Sequence, residues 1–266
     1  MTALPRPRKR FGQHFLESAW VSKLLEALAP RPGDTFLEIG PGRGALTLPL
    51  AERVRRLVAV EIDRDLAAAL AARIPPHVTV VEGDILDLDL RSLLAAEPAP
   101  VRVVGNLPYN IASPILFKLL RSSEEGRFLR DATIMLQKEV ADRLAAVPGS
   151  RSYGALAIQV ALVADVDRLL VLPPGAFRPP PKVTSALVRL RFRPASEDVG
   201  RWAVFERLVR GLFLHRRKTL ANALEPVAHA LNRSAPDLLE RAGLDPERRP
   251  ETLTVADVAR LSRAVG

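Results

Sequence analysis

Three carboxylates and one amide are the residues of this chain whose spacing could do chemistry. Glu38, Glu61 and Asp84 sit at or beside the ends of short apolar runs, in "LEIG", "VEID" and "EGDI". After the first comes a glycine turn, Gly40, Gly42 and Gly44 in "LEIGPGRGALT", of the kind that lets backbone approach a ligand between a strand and a helix. Glu61 follows about twenty residues on, where a carboxylate can accept both hydroxyl hydrogens of a ribose. Gly40-x-Gly42-x-x-Ala45 also satisfies the dinucleotide fingerprint. Glu38 argues against that reading: a negative charge two residues before the turn would repel a pyrophosphate, and it would suit an ammonium or a sulfonium. Asp84 can accept a hydrogen bond from an adenine amino group. Three carboxylates on one sheet edge therefore favour S-adenosylmethionine, with Ile62 and Ile85 beside two of them in the same cofactor-binding set. The bland alternative is three ordinary strand-end residues, but ligands of open α/β sheets bind at that edge.

The amide is Asn106, in "VVGNLPYNIASP" (residues 103–114). An exocyclic amino group is a poor nucleophile because its lone pair is delocalised into the ring. Two acceptors, the Asn106 side-chain oxygen and the Leu107 backbone carbonyl, could hold its two N–H groups and turn the lone pair toward a sulfonium methyl. That is catalysis by positioning, without metal or strong base. Pro108 holds the preceding residue extended and stiffens the turn. Tyr109 offers a ring on which a base taken out of its helix could stack.

These residues need a scaffold that brings strand ends to one edge. "TFLEIG", "LVAVEID", "VTVVEGD", "VRVVGNL" and "ATIMLQK" read as strands, separated by Ala/Leu-rich helical stretches such as "RDLAAALAARI". The first four are continuous rather than alternating, the pattern of strands buried on both faces. This βαβ rhythm predicts an α/β fold with an open, mostly parallel sheet. "VDRLLVL" and "TSALVRLRFRP" look different; the second alternates, with Arg189, Arg191 and Arg193 as the wet face of an antiparallel edge strand. From about Arg201 the pattern is helical: Phe205, Leu208, Val209, Leu212 and Phe213 form one stripe. Two more helices follow, the first capped by Ser234. The division expected is a catalytic domain over residues 1–194 and a small all-helical domain over 195–266.

Composition narrows the partners. The chain has 266 residues and a net charge of +9, and only six of its 39 basic residues are lysine. An arginine-rich surplus points to a polyanion, nucleic acid first. Cysteine is absent, and the four histidines are scattered, so thiolate chemistry is excluded and no metal site is expected. No apolar run spans a bilayer. The basic start, Met1 to Arg10, lacks the apolar segment of a secretory signal, and a cytoplasmic location is expected. Arg8, Lys9 and Arg10 form one basic cluster and Arg216, Arg217 and Lys218 another. As RNA contacts they would neutralise phosphates; as ordinary charge runs they would be solvated faces.

Taken together, "KRFGQHFL", "LEIGPGRGALT", "VEID", "GDIL", "GNLPYNIASP", "QKEVADR", "SYGAL" and "PGAFRPPPKVTSALVRL" occur in the order seen in the ribosomal RNA adenine dimethyltransferases. The chain most resembles the bacterial small-subunit enzymes. The resemblance implies a Rossmann-like, seven-stranded class I S-adenosylmethionine methyltransferase sheet with a helical C-terminal domain that recognises RNA or the ribosome. It implies dimethylation of N6 on two adjacent adenosines near the 3′ end of small-subunit rRNA; the partner expected is that rRNA or the 30S precursor, and a monomer is expected. It makes His14 and Leu16 cofactor contacts, with Gly40 in the glycine turn. Glu61 becomes the ribose ligand, Asp84 the adenine ligand, and Asn106 the contact to both cofactor and target amine. Tyr109 and Phe177 become an aromatic pair around the target base. His14 stands where many members carry Asn, and His215 precedes "RRK" where Gln is frequent. Rival expectations are a large-subunit rRNA methyltransferase of the antibiotic-resistance type, a non-catalytic assembly factor, and, more remotely, an NAD-dependent oxidoreductase.

Overall fold

Runs of Val, Leu and Ile too short for helices, closed by glycine or an acid, become the strands of one sheet. The structure, a computed structural model, describes residues 14–124 and 128–266, so the cluster of Arg8, Lys9 and Arg10 lies outside the described residues. In chain order the elements begin β1 (Phe15–Leu16), α1 (Ser18–Leu28), β2 (Thr35–Ile39), α2 (Thr47–Ala51), β3 (Arg56–Glu61), α3 (Arg64–Ala71) and β4 (Val78–Glu82). They continue with α4 (Leu90–Leu93), β5 (Val101–Asn106), α5 (Ala112–Glu124), β6 (Leu129–Gln137), α6 (Lys138–Leu144), α7 (Ala155–Val163) and β7 (Ala164–Leu172). Last come β8 (Phe177–Arg178), β9 (Ser185–Phe192), α8 (Trp202–Leu214), α9 (Leu220–His229), α10 (Ala235–Ala242) and α11 (Val255–Val265). Among the described residues no helix is long and apolar enough to cross a membrane.

Seven strands form a sheet in the order β4-β3-β2-β5-β6-β9-β7, and β1 pairs with β8 in a separate ribbon. β4, β3, β2, β5 and β6 run parallel; β9 is antiparallel to β6, with Ser185 opposite Gln137. The register puts Glu38 beside Ala59 and Val104, so the carboxyl ends of β2, β3 and β5 come level. β2 lies between β3 and β5, where the strand order reverses, and ligands of such sheets settle there. β2, β3 and β5 are buried nearly throughout, as their unbroken apolar runs require. β4 departs from the expected burial on both faces: it is the outermost strand, and only Val78 of its five residues is buried.

The opposite edge of the sheet is tied by arginines. Arg102, only 3% exposed, donates Nε to both oxygens of Asp131 (3.1 and 3.0 Å), Nη1 to Asp34 (2.9 Å) and Nη2 to the Leu28 carbonyl (2.9 Å). Its guanidinium also lies 4.8 Å from the centroid of the Phe36 ring. Arg189 donates Nη2 to the Ala27 and Leu28 carbonyls. Two cations thus satisfy the last carbonyls of α1, where the helix dipole is negative. The expected wet face of β9 is corrected here. The strand lies between β6 and β7 rather than at an edge. Arg189 turns inward onto α1, and Arg191 and Arg193 pair with Asp167 and Asp165.

The chain forms two compact units, residues up to Ala141 with Asp165–Arg193, and Asp142–Ala164 with Pro194–Gly266. The helical unit therefore begins before the change of pattern at Pro194 and takes in α7. Seven of the nine residues of α7 are buried and Ala161 is exposed, so the helix is covered over most of its circumference. Its neighbours are α8 and α11. Tyr153, just before α7, donates its hydroxyl to the Leu253 carbonyl at 2.7 Å and meets Phe213 edge-on. Ser234 caps α10 as expected, Gly243 ends it at φ 61°, and Thr254 and Asp257 form a capping box on α11.

Candidate active site

The carboxyl edge of β2 presents a buried acid. Glu38 is 3% exposed, and burial raises its carboxyl to about 7; the Thr47 hydroxyl opposes this shift and the Glu61 charge adds to it. Its Oε2 has no hydrogen-bond partner among the described residues. A buried, unsatisfied carboxylate is costly unless a cation or donor meets it. Glu61, at the end of β3, is held by two backbone donors, Gly42 N to Oε2 and Asp63 N to Oε1, both at 2.9 Å. Burial raises its pKa, and those backbone bonds work against the rise. Each oxygen has capacity for a further donor, as a pair of ribose hydroxyls would require. Asp84, in the turn after β4, accepts from Leu86 N at 2.9 Å through Oδ1, which fixes its carboxylate.

Backbone shape completes this half of the cleft. Gly42 sits at φ 58°, and a Cβ there would lie 2.9 Å from the Phe15 ring. The turn needs glycine both for its left-handed conformation and for the close approach of β1. Ile62 is 41% exposed and Ile85 is buried; both line the cleft and give it an apolar wall.

The second half is the loop after β5. Leu107 is buried and anchors it, and the Pro108 carbonyl accepts from Ile111 N at 3.1 Å, turning the chain toward α5. Asn106 Nδ2 donates to the His14 carbonyl at 2.7 Å. With its nitrogen committed there, the amide oxygen is left to accept. Tyr109 shares a hydrogen bond with the Ser185 hydroxyl at 2.7 Å, and its ring stacks on His14 with centroids 5.7 Å apart. Burial raises the Tyr109 pKa, and the bond to Ser185 opposes this. The ring is fixed at both its edge and its face.

His14, Leu16, Glu38, Gly40, Gly42, Glu61, Ile62, Asp84, Ile85, Asn106, Leu107, Pro108 and Tyr109 all line this one cleft. Two residues of the expected set do not. Gly44, at φ 80°, faces the Leu70 side chain, which a Cβ would meet at 2.6 Å, so this glycine serves the packing of α3. Phe177 is 1% exposed, because the β1–β8 pairing turns its ring into the core with Val21, Leu172 and Ala176. In the helical unit, Arg216 donates to the Arg151 carbonyl at 3.1 Å, while Arg217 and Lys218 are exposed. Sequence reasoning missed Phe15, Arg43, Ile111 and Ile115 as lining residues. Phe15 could have been found from its place between His14 and Leu16. Arg43 lies with its guanidinium 4.5 Å from the Phe15 ring centroid.

An orphaned acid for a cation, a carboxylate with capacity for two hydroxyls, a fixed carboxylate for an amino group and an apolar wall fit S-adenosylmethionine. A pyrophosphate would be placed against Glu38. Residues 5–263 match the family described as "Ribosomal RNA adenine dimethylase". A "Ribosomal RNA small subunit methyltransferase A" of Acinetobacter baylyi is 46% identical over 261 residues, 97% of this chain and 92% of its own. A protein of the same name from Xanthomonas oryzae pv. oryzae is 44% identical over 259 residues, covering 96% and 95% of the two chains. Among solved structures, a dimethyladenosine transferase from Plasmodium falciparum aligns with a TM-score of 0.76 at 27% identity, over 93% of this chain and 96% of that one. The 23S rRNA methyltransferase ErmE aligns with a TM-score of 0.61 at 26% identity, over 94% and 99%. The Rossmann-like class I methyltransferase sheet expected above is the fold these neighbours share. With the match running almost from end to end, this chain belongs to the ribosomal RNA adenine dimethylase family.

Proposed function

We propose that this protein dimethylates N6 of two adjacent adenosines near the 3′ end of small-subunit rRNA, using S-adenosylmethionine. The observation that carries the reading is Asn106, whose amide nitrogen is engaged by the His14 carbonyl in the same cleft as Glu38, Glu61 and Asp84. The relatives named for the small subunit are 44–46% identical over nearly the whole chain, whereas ErmE is 26% identical. That supports the small-subunit substrate over the large.

Bound in the cleft, S-adenosylmethionine supplies an electrophilic methyl group on a sulfonium. Glu38 would meet its positive end, Glu61 its ribose and Asp84 its adenine. The Asn106 side-chain oxygen and the Leu107 carbonyl accept the two N–H bonds of the target amine and localise its lone pair; Tyr109 stacks the extruded base. Base stacking of this kind is worth roughly 1–3 kcal/mol. Arg8, Lys9 and Arg10, together with Arg216, Arg217 and Lys218, would contact rRNA phosphates, and the helical unit would recognise the 30S precursor. The protein acts as a monomer in the cytoplasm on this reading.

The test is mass spectrometry of rRNA from cells with and without the gene. Loss of dimethyladenosine from one small-subunit site is expected; loss from the large-subunit rRNA instead would overturn the assignment.

Glu38 adds a pH signature. Its native carboxyl, at about 7, lies above the ordinary 4.5. In the ligand-free protein it therefore contributes stability below the unfolded value, and that contribution is lost as pH rises through about 7. A cationic ligand favours the carboxylate, so S-adenosylmethionine affinity should rise between about pH 6 and 8. Calorimetry should show this rise in the wild type and a flat profile in Glu38→Gln.

A further inference from the structure

We propose that Lys118, on α5, is a positioning residue for the adenine subsite: it braces the turn that carries Asp84 and ties that turn to the helix following the catalytic loop. The proposal rests on the reading of Asp84 as the adenine acceptor. Lys118 Nζ donates to the carbonyls of Leu86 at 2.8 Å and Leu88 at 2.5 Å. The near side of the turn is held by Asp84 itself, whose carbonyl accepts from Asp87 N and Leu88 N and whose Oδ1 accepts from Leu86 N. Its far carbonyls meet the ammonium, so the turn that carries the carboxylate is held from both sides.

Charge supports the same arrangement. Asp84, Asp87 and Asp89 crowd one short segment, and all three favour the charged lysine, although burial lowers its pKa. Removing the ammonium would leave the acids without this cation and the carbonyls without this donor. The connection reaches across the cleft. α5 begins six residues after Asn106, and Ile115, one turn before Lys118, lines the cleft wall. A single helix thus buttresses the catalytic loop at its start and the adenine turn in its second turn.

The test compares wild type, Lys118→Met, Lys118→Arg and Asp84→Asn by calorimetry, with S-adenosylmethionine and with 5′-methylthioadenosine, which keeps the adenosine and lacks the amino-acid end. Lys118→Met should weaken both ligands about tenfold, the loss expected when charge-assisted hydrogen bonds are removed. The KM for S-adenosylmethionine should rise in parallel, kcat at saturating cofactor should hold, and amide exchange should quicken at residues 86–88. Lys118→Arg should recover most of the affinity. Wild-type affinity in Lys118→Met would overturn the proposal, and so would a loss confined to S-adenosylmethionine. So would a fall in kcat matched by a fall in melting temperature that Lys118→Arg does not repair. Asp84→Asn reports on the underlying reading separately: if it binds 5′-methylthioadenosine like the wild type, the assignment of Asp84 fails whatever Lys118 does.

Discussion

Asn106→Ala is expected to slow methyl transfer by about 10²–10³-fold while cofactor binding and folding survive, the scale seen when one preorganised polar contact is removed from a reacting centre. The side chain is partly buried and, among the described residues, makes one hydrogen bond, to the His14 carbonyl. Its structural share is therefore small, roughly 1 kcal/mol for a neutral hydrogen bond. Its chemical share is large, because the amide oxygen localises the lone pair of the attacking nitrogen. Asn106→Asp should fail as well. An ionised carboxylate cannot donate to the His14 carbonyl, so one oxygen would face another and the group would swing away. Single-turnover methylation at saturating RNA, with calorimetric cofactor affinity alongside, separates the two contributions. Near-normal turnover in Asn106→Ala would remove positioning from the account; lost cofactor binding would move the residue's role to the ground state.

Arg102→Met should cost about 3–5 kcal/mol of stability, the range for breaking one side of a buried ion pair. Asp131 is 4% exposed and Asp34 nearly as enclosed, and this guanidinium is the nearest cation to both, Arg130 lying farther off at 3.8 and 3.4 Å. The C-terminal carbonyls of α1 would also lose a donor. Urea denaturation should show the loss. Adding Asp131→Leu to Arg102→Met should restore part of it, because the more buried of the two carboxylates is then no longer stranded, while Asp34 keeps Arg130 Nη1 at 3.4 Å and the Arg31 amide as partners. By contrast, Arg191→Ala, which breaks an exposed pair with Asp167, should cost about 1 kcal/mol or less. Equal losses at the two arginines would contradict the burial argument.

The two arginines also show what could be read in advance. Arg189 and Arg191 are both part of the same alternating stretch, and nothing in a lone strand says that Arg189 will meet the end of α1, more than 160 residues away. Strands β2, β3 and β5 were readable because burial on both faces leaves unbroken apolar runs. β4 carries a similar run and misleads, since an edge strand is set by sheet order, which local pattern does not encode. Glu38, Glu61 and Asp84 were readable because parallel strands bring their carboxyl ends to one edge. Phe177 entered through family resemblance, and its ring direction depends on pairing with Leu16. Lys118 had no signal at all: a lysine on a helix looks solvated until a carbonyl some thirty residues upstream is seen against it.

The route of the chain limits where it can be divided. It leaves the first unit after Ala141, comes back at Asp165 and leaves again after Arg193. A gene truncated at codon 194 would still encode α7 but not α8 or α11, and would leave "ALAIQVALV" with its apolar surface bare. Such a fragment is expected to aggregate, because an uncovered apolar helix face is an association surface. A single cut after the last strand therefore cannot separate the two units cleanly.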